Sequence, residues 1–174
     1  MKSINDIVNE ATKDELKITG LDINELIDKL QDALAEEYNA WYAYKVVCPF
    51  LSGPERVNTV DLYEEQAKDE LEDHAEWLIE RINQLGGKPD KVISPDMWNK
   101  TATHKYIVPE STFDVIKSIK QNIDAEIGAI ETYTELEKFT RGKDITTHRK
   151  IKSILADEQE HLSNLQDLLA DIEK

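Results

Sequence analysis

Six residues of the kinds that bind metal ions interrupt apolar patterns along this chain. They are Glu37, Glu70, His74, Glu126, Glu158 and His161. A carboxylate carried into a protein interior loses hydration energy, and a partner of opposite charge must compensate the loss. Four inward carboxylates need a shared positive charge, and two divalent metal ions would balance them. The pattern therefore predicts a buried two-metal site.

The apolar residues that surround these six recur at helical spacing. Steps of three and four residues predict a first helix at about residues 22–48, a second at about 58–85, a third from about 111 onwards and a fourth after the turn at 141–143. Glycine and proline are few, 6 and 5 in 174 residues, which is typical of long helices. The sequence therefore predicts an all-α protein.

Capping residues mark where these helices start and stop. Asp22 is the expected N-cap of the first helix, and Ser111 or Thr112, followed by Asp114, is the capping signal of the third. The second helix should stop at Gly86-Gly87, because glycine favours the backbone conformation that ends a helix.

Residues 87–111 form a long connection with three prolines, and SPDMWNK is a candidate for a short helix within it. About 25 residues can span about 80 Å when extended, enough to cross a bundle about 40 Å long. We therefore expect a four-helix bundle at 22–174, built from two antiparallel hairpins joined by this long crossover and preceded by an N-terminal segment at 1–21.

The two halves of the expected bundle carry the same pattern of candidate ligands. Each half offers one inward glutamate on its first helix, Glu37 or Glu126, and a glutamate with a histidine on its second. Glu158 and His161 are three residues apart, so that they share one helix face and can bind one ion together. The pattern indicates an internal duplication of a helical hairpin around the metal site.

Composition narrows the functions that fit. The formal net charge of −15 argues against a nucleic-acid partner and favours cations. The single cysteine, Cys48, excludes internal disulfides and four-cysteine metal centres, and a reducing cytoplasm is the expected compartment. No apolar run approaches the about 18 residues of a membrane span, so that no membrane partner is expected.

Four segments carry a resemblance to a known family: EEYNAWYAY, DELEDHAEWLIERINQLGGKP, DAEIGAIETY and ADEQEHL. Over about residues 30–171 the chain resembles the ferritin-like superfamily, especially bacterioferritin-like and Dps-like miniferritins with a metal site inside each subunit. The resemblance implies that Glu37 and Glu126 are terminal ligands, that Glu158 bridges two ions, and that His74 and His161 each bind one metal. It also implies that Tyr44 lies beside the site.

The second helix departs from the Glu-x-x-His motif of that family, because Leu71 stands three residues before His74 and Glu70 stands four before. Either Glu70 reaches the metals from a position four residues before His74, or a one-residue π-bulge between Glu70 and His74 places both on the same inward face of the helix. Glu70 is the preferred bridging ligand, and Glu72 and Asp73 are lesser candidates.

The resemblance implies a ferroxidase with two iron ions per subunit that oxidises Fe(II) with O2 or hydrogen peroxide and stores Fe(III) in a dodecameric cage of identical subunits, protecting against oxidative stress. Manganese fits the same ligands, so that a manganese catalase or a rubrerythrin-like peroxidase without iron storage is the alternative. Haem is not expected, because Leu71 replaces the methionine that follows the helix glutamate in bacterioferritins. A bundle without metal is the third alternative, in which the inward charges would lack compensation.

Overall fold

Four long helical stretches form the protein in a computed structural model that describes residues 10, 13–14, 16–90 and 112–174. The helices are α1 (Ile23–Val47), α2 (Arg56–Asp69), α3 (Glu76–Gln84), α4 (Val115–Thr140) and α5 (Ile145–Ile172). A π-helical segment, Glu70–Ala75, joins α2 to α3 so that the two form one rod. The predicted all-α fold is confirmed, while the short helix predicted at SPDMWNK falls outside the described residues. Within them, no helix combines the length and apolar character needed to cross a lipid bilayer.

The helix starts follow the local capping chemistry. Asp22 caps α1 as predicted, and its carboxylate accepts hydrogen bonds from the backbone N–H groups of Asn24 at 2.9 Å and Glu25 at 3.1 Å. The predicted cap of the third helix at Ser111 or Thr112 is wrong. Asp114 caps α4 instead, accepting from the Lys117 backbone N–H at 3.3 Å.

The later start of α4 has a physical reason in a small parallel strand pair. Strand β1 (Leu51–Ser52), in the turn after α1, pairs with β2 (Phe113–Asp114). This pairing keeps the backbone extended at Phe113–Asp114, so that the helix begins after Asp114. It also places the start of α4 beside the start of α2. Most of the predicted crossover, residues 91–111, lies outside the described residues.

The π-helical segment decides between the two alternatives for the second helix. Its i to i+5 hydrogen bonding accommodates one extra residue in the rod. The residues before it and after it can then face the same interior, and both Glu70 and His74 are buried. The predicted π-bulge is therefore confirmed, and Glu70 and His74 lie on the inward face although they are four residues apart.

The apolar core is divided by a layer of buried polar residues. One cluster contains Leu30, Leu34, Leu78, Ile82 and Ile154, and the other contains Tyr63, Val115, Ile119 and Leu165. The six predicted site residues lie in sequence between the members of these clusters on every rod. The large apolar side chains on both sides exclude water from this layer and stabilise the bundle around it.

A buried ion pair ties the end of the second rod to the turn before α5. Arg81 and Asp144 are only 5% and 3% exposed, and the Arg81 guanidinium donates to Asp144 at 2.7 Å and to the Thr147 hydroxyl at 2.7 Å. Asp144 also caps α5, accepting from the backbone N–H groups of Thr146 and Thr147. One carboxylate thus fixes both a helix start and a contact between rods.

Substitutions of Asp22 and Asp144 separate the effect of a helix cap from that of the ion pair with Arg81. We expect Asp22→Ala, which removes only an exposed cap, to lower the free energy of unfolding by about 1 kcal/mol. Asp144→Ala also leaves Arg81 buried without its partner, so that we expect a loss of about 3–5 kcal/mol. Urea unfolding of both variants at one protein concentration measures the difference. Equal losses would show that the Arg81–Asp144 pair adds nothing to the cap.

Candidate metal centre

The structure brings all six predicted site residues together in two overlapping groups. Glu37, Glu70, His74 and Glu158 form one group, and Glu70, Glu126, Glu158 and His161 form the other. Within each group the potential ligand atoms lie within 4.8 Å of one another, and every residue is buried. Glu70 and Glu158 belong to both groups. The arrangement has the form of two adjacent ion positions that share two carboxylates.

Each histidine turns its Nδ1 atom toward the shared carboxylates. His74 Nδ1 lies 3.2 Å from Glu70 Oε2, 3.3 Å from Glu158 Oε1 and 3.3 Å from Glu37 Oε2. His161 Nδ1 lies 3.3 Å from Glu70 Oε1 and 3.5 Å from Glu158 Oε2. Each imidazole therefore contacts a different oxygen of each shared carboxylate.

Two buried tyrosines hold the remaining carboxylates. The Tyr44 hydroxyl donates to Glu126, and the Tyr133 hydroxyl donates to Glu37. Each tyrosine comes seven residues after the glutamate of its own helix and contacts the glutamate of the other helix. The prediction placed Tyr44 beside the site but missed the role of Tyr133. The internal duplication could have found it, because both tyrosines stand at the same repeat position.

Two aspartates missed by the sequence reasoning lie behind the histidines. His74 Nε2 is 3.5 Å from Asp157 Oδ2, and His161 Nε2 is 3.5 Å from Asp69 Oδ2. Carboxylates in this position orient an imidazole and make its other nitrogen a better ligand. Each aspartate directly precedes a site glutamate, Glu70 or Glu158, so that a repeated Asp-Glu pair was the available signal.

The lesser candidates for the helix carboxylate, Glu72 and Asp73, do not join the six. Both side chains are exposed, 62% for Glu72 and 55% for Asp73. Asp73 accepts a hydrogen bond from the Lys150 ammonium at 2.6 Å. The π-helical segment turns Glu70 inward and leaves these two residues at the surface.

Burial and mutual repulsion govern the protonation of the four glutamates. Burial raises the pKa of Glu37 well above its usual value, and the charges of Glu70 and Glu158 raise it further. Burial raises the pKa of Glu126 in the same way, again with the charges of Glu158 and Glu70. Burial would also raise the pKa of Glu70, but the close imidazoles of His161 and His74 outweigh it and lower the pKa below its usual value.

The pKa values of the two histidines are raised, because the nearby carboxylates outweigh the effect of burial. Burial would lower the pKa of His161, but the close carboxylates of Glu158 and Glu70 outweigh it and raise the pKa to about 11. Burial would also lower the pKa of His74, but the negative charge of Glu37 and the close carboxylates of Glu158 and Glu70 outweigh it and raise the pKa. Metal binding at this site must therefore displace protons, as is general for imidazole ligands.

The donor atoms fit a pair of metal ions. Glu70 Oε1, both carboxylate oxygens of Glu158 and His161 Nδ1 are buried, and none has a hydrogen-bond partner of good geometry among the described residues. Buried polar atoms left unpaired are costly unless a ligand satisfies them. Carboxylate and imidazole donors suit iron or manganese, and four carboxylates balance the charge of two divalent ions.

Fold and site together define a helical bundle with a carboxylate-rich, potentially dinuclear centre. The sequence matches the Ferritin-like domain family over residues 27–174. The chain therefore belongs to the ferritin-like family.

Similar proteins support the assignment. A DNA protection during starvation protein of Pyrococcus furiosus is 31% identical over 151 residues, 87% of this chain and 80% of the relative. A dodecameric thioferritin, a bacterioferritin-related protein of Bacteroides fragilis, is 40% identical with a TM-score of 0.83, covering 92% of this chain and 95% of that one. A ferritin-like diiron-carboxylate protein of Bacillus anthracis is 27% identical with a TM-score of 0.71, covering 84% of this chain and 96% of that one.

Replacing Glu37 by glutamine tests the cost of the buried charges. The pKa of Glu37 lies above its usual value of 4.5 in the folded protein, so that the folded state binds more protons than the unfolded state and loses stability as the pH rises above that value. In the presence of a chelator, we expect Glu37→Gln to raise the melting temperature and to reduce its fall between about pH 5 and about pH 8. Thermal unfolding followed by circular dichroism measures both.

Glu135→Gln is the matched control, because Glu135 is an exposed carboxylate on α4. A melting temperature that falls in Glu37→Gln near neutral pH, or a pH profile identical to that of the parent protein, would contradict the expected repulsion.

Proposed function

We propose that this protein is a ferroxidase that binds two Fe(II) ions per chain, oxidises them with O2 or hydrogen peroxide and stores the Fe(III) product. One observation carries the proposal: two four-residue ligand groups share Glu70 and Glu158 inside an apolar bundle. Neighbouring ions suit an oxidant that takes more than one electron. Two Fe(II) ions give up one electron each, and hydrogen peroxide takes two electrons and two protons to become two water molecules.

The six residues would divide the binding between them. Glu70 and Glu158 would bridge the two ions, because each lies in both groups. Glu37 and His74 would complete one position, and Glu126 and His161 the other. This division matches the predicted ligand set, and it leaves each ion with few protein ligands, so that an oxidant can approach.

Hydrogen bonds around the site would keep the carboxylate ligands oriented for metal binding. Tyr133 and Tyr44 donate to Glu37 and Glu126, which limits the rotation of these two carboxylates. The apolar clusters on both sides keep water away, so that charges inside the site interact strongly. Protons that leave His74 and His161 as Fe(II) binds are available when the oxidant is reduced.

The relatives support an assembled, protective protein. The Bacteroides fragilis relative is dodecameric, and the Pyrococcus furiosus relative is described as a DNA protection protein. We therefore propose a dodecameric cage of identical cytoplasmic subunits that limits oxidative stress by consuming Fe(II) and its oxidant. With a formal net charge of −15, protection would act through this chemistry rather than through binding of DNA.

Rapid mixing with Fe(II) and hydrogen peroxide tests the function. We expect the parent protein to oxidise two Fe(II) per chain in a fast phase, followed by slower storage of many more. Glu158→Ala should slow the fast phase by about 100-fold or more, because a bridging ligand serves both ions. Glu135→Ala is the control and should react as the parent does. Absorbance of the Fe(III) product and iron content after gel filtration give the two readouts.

Metal-binding and peroxide assays distinguish the ferroxidase from a manganese catalase and from a bundle without metal. Evolution of O2 from hydrogen peroxide by manganese-loaded protein, with no iron retained after gel filtration, would favour a catalase. Failure to bind two divalent ions per chain would contradict the proposed site itself.

A further inference from the structure

A third buried tyrosine, Tyr63 on α2, packs against one of the two tyrosines that hold the site carboxylates. Its ring lies beside the ring of Tyr44, with the ring centroids 5.1 Å apart and the ring planes inclined at 58°. Tyr44 in turn donates its hydroxyl hydrogen to Glu126. The two tyrosines are only 0% and 1% exposed, and a close-packed interior transmits a shift of one side chain to its neighbour. Tyr63 can therefore act on Glu126 through Tyr44.

The hydroxyl of Tyr63 is anchored to α4, the helix that carries Glu126. It shares a hydrogen bond with the Ser118 hydroxyl at 2.9 Å, and both residues are fully buried. Burial raises the pKa of Tyr63 to about 12, and interactions with Ser118 and Asn122 offset that effect only in part. The hydroxyl therefore keeps its proton near neutral pH and remains available as a hydrogen-bond donor.

Packing alone does not account for the hydroxyl of Tyr63. The residue belongs to an apolar cluster with Ile119 and Leu165, where a phenylalanine would bury the same ring without carrying a polar group into the interior. The hydrogen bond with Ser118 offsets the cost of burying the two hydroxyls, so that its net effect on stability is small. Its specific contribution is geometric, because it fixes where the Tyr63 ring stands relative to α4.

The two halves of the bundle differ at this position. Tyr63 precedes Glu70 by seven residues, and the residue that precedes Glu158 by seven is Ile151, which is also fully buried. Isoleucine provides neither an aromatic ring nor a hydroxyl. The tyrosine that holds Glu37 belongs to the same apolar cluster as Ile151. The duplicated pattern thus carries a tyrosine once and an isoleucine once, and the support that Tyr63 gives is one-sided.

We propose that Tyr63, anchored by Ser118, is a positioning residue for the metal position completed by Glu126 and His161, here called the Glu126 position. The proposal rests on the proposed function, because it assumes that the central residues bind a pair of metal ions. Tyr63 limits the movement of Tyr44, which in turn limits the rotation of the Glu126 carboxylate. A ligand already held in its binding orientation loses less freedom when the ion binds, so that affinity rises at that position.

Titration of the full-length, metal-free protein with Co(II) tests the role at each metal position separately. His74→Ala leaves only the Glu126 position complete. His161→Ala leaves only the other position complete, that of Glu37 and His74. Tyr63→Phe is introduced into each of these two backgrounds, because it removes the hydroxyl anchor and keeps the ring. Calorimetry and the visible absorption of bound Co(II) measure affinity and ligand geometry.

A second variant and a control accompany Tyr63→Phe in both backgrounds. Ser118→Ala removes the hydrogen-bond partner and leaves Tyr63 itself unchanged, so that the test does not depend on one substitution in the core. Tyr42→Phe is the matched control, the same chemical change at a tyrosine of α1 that is 38% exposed. Circular dichroism of the metal-free variants shows whether each is folded.

We expect Tyr63→Phe and Ser118→Ala each to weaken Co(II) binding about tenfold in the His74→Ala background, as is typical when a group that orients a metal ligand is lost. Binding in the His161→Ala background should stay unchanged, and Tyr42→Phe should change neither. The Co(II) absorption of the Glu126 position should also shift in the first two variants, because the Glu126 carboxylate is held less firmly.

Equal weakening in both backgrounds would overturn the positioning role, since a general loss of stability affects both metal positions alike. Unchanged binding in both would overturn it as well. Failure of the proposed function has a different signature: the parent protein itself would then not bind two Co(II) ions, and the positioning role would fall with it.

Discussion

The buried negative charge of four glutamates is the constraint on which the structure depends. Each rod of the bundle carries one of these carboxylates into a layer from which large apolar side chains exclude water. Repulsion within the layer must be offset by protons, by the two imidazoles or by metal ions. The rest of the site follows from that need, because every added group either supplies positive charge or donates a hydrogen bond to a carboxylate.

Corresponding contacts recur in the two halves of the centre. Tyr44 and Tyr133 each hold the glutamate of the other half, and Asp69 and Asp157 each stand behind the histidine of the opposite rod. Such crossed contacts link the two hairpins at their middle. They couple the stability of the bundle to the geometry of the site, so that the same residues serve folding and ligand positioning.

The two halves of the protein differ in helix geometry and in surface charge. The π-helical segment Glu70–Ala75 occurs in only one of the two rods that carry a glutamate and a histidine. There it accommodates one extra residue, so that Glu70 and His74 both face inward. Lys150 forms an ion pair with Asp73, the residue before His74, and thereby neutralises a carboxylate at the edge of the centre.

The sequence by itself predicted the all-α fold and the six residues that the bundle brings together, because helical periodicity and isolated inward charges are local signals that need no long-range contact. It left open whether Glu70 could face inward, and it misplaced the start of α4, which a strand pair with Leu51–Ser52 delays to Asp114. Only the tertiary structure decided the partners of Tyr133, Asp69 and Asp157. Those contacts join residues far apart in the chain, and their geometry depends on how the rods pack.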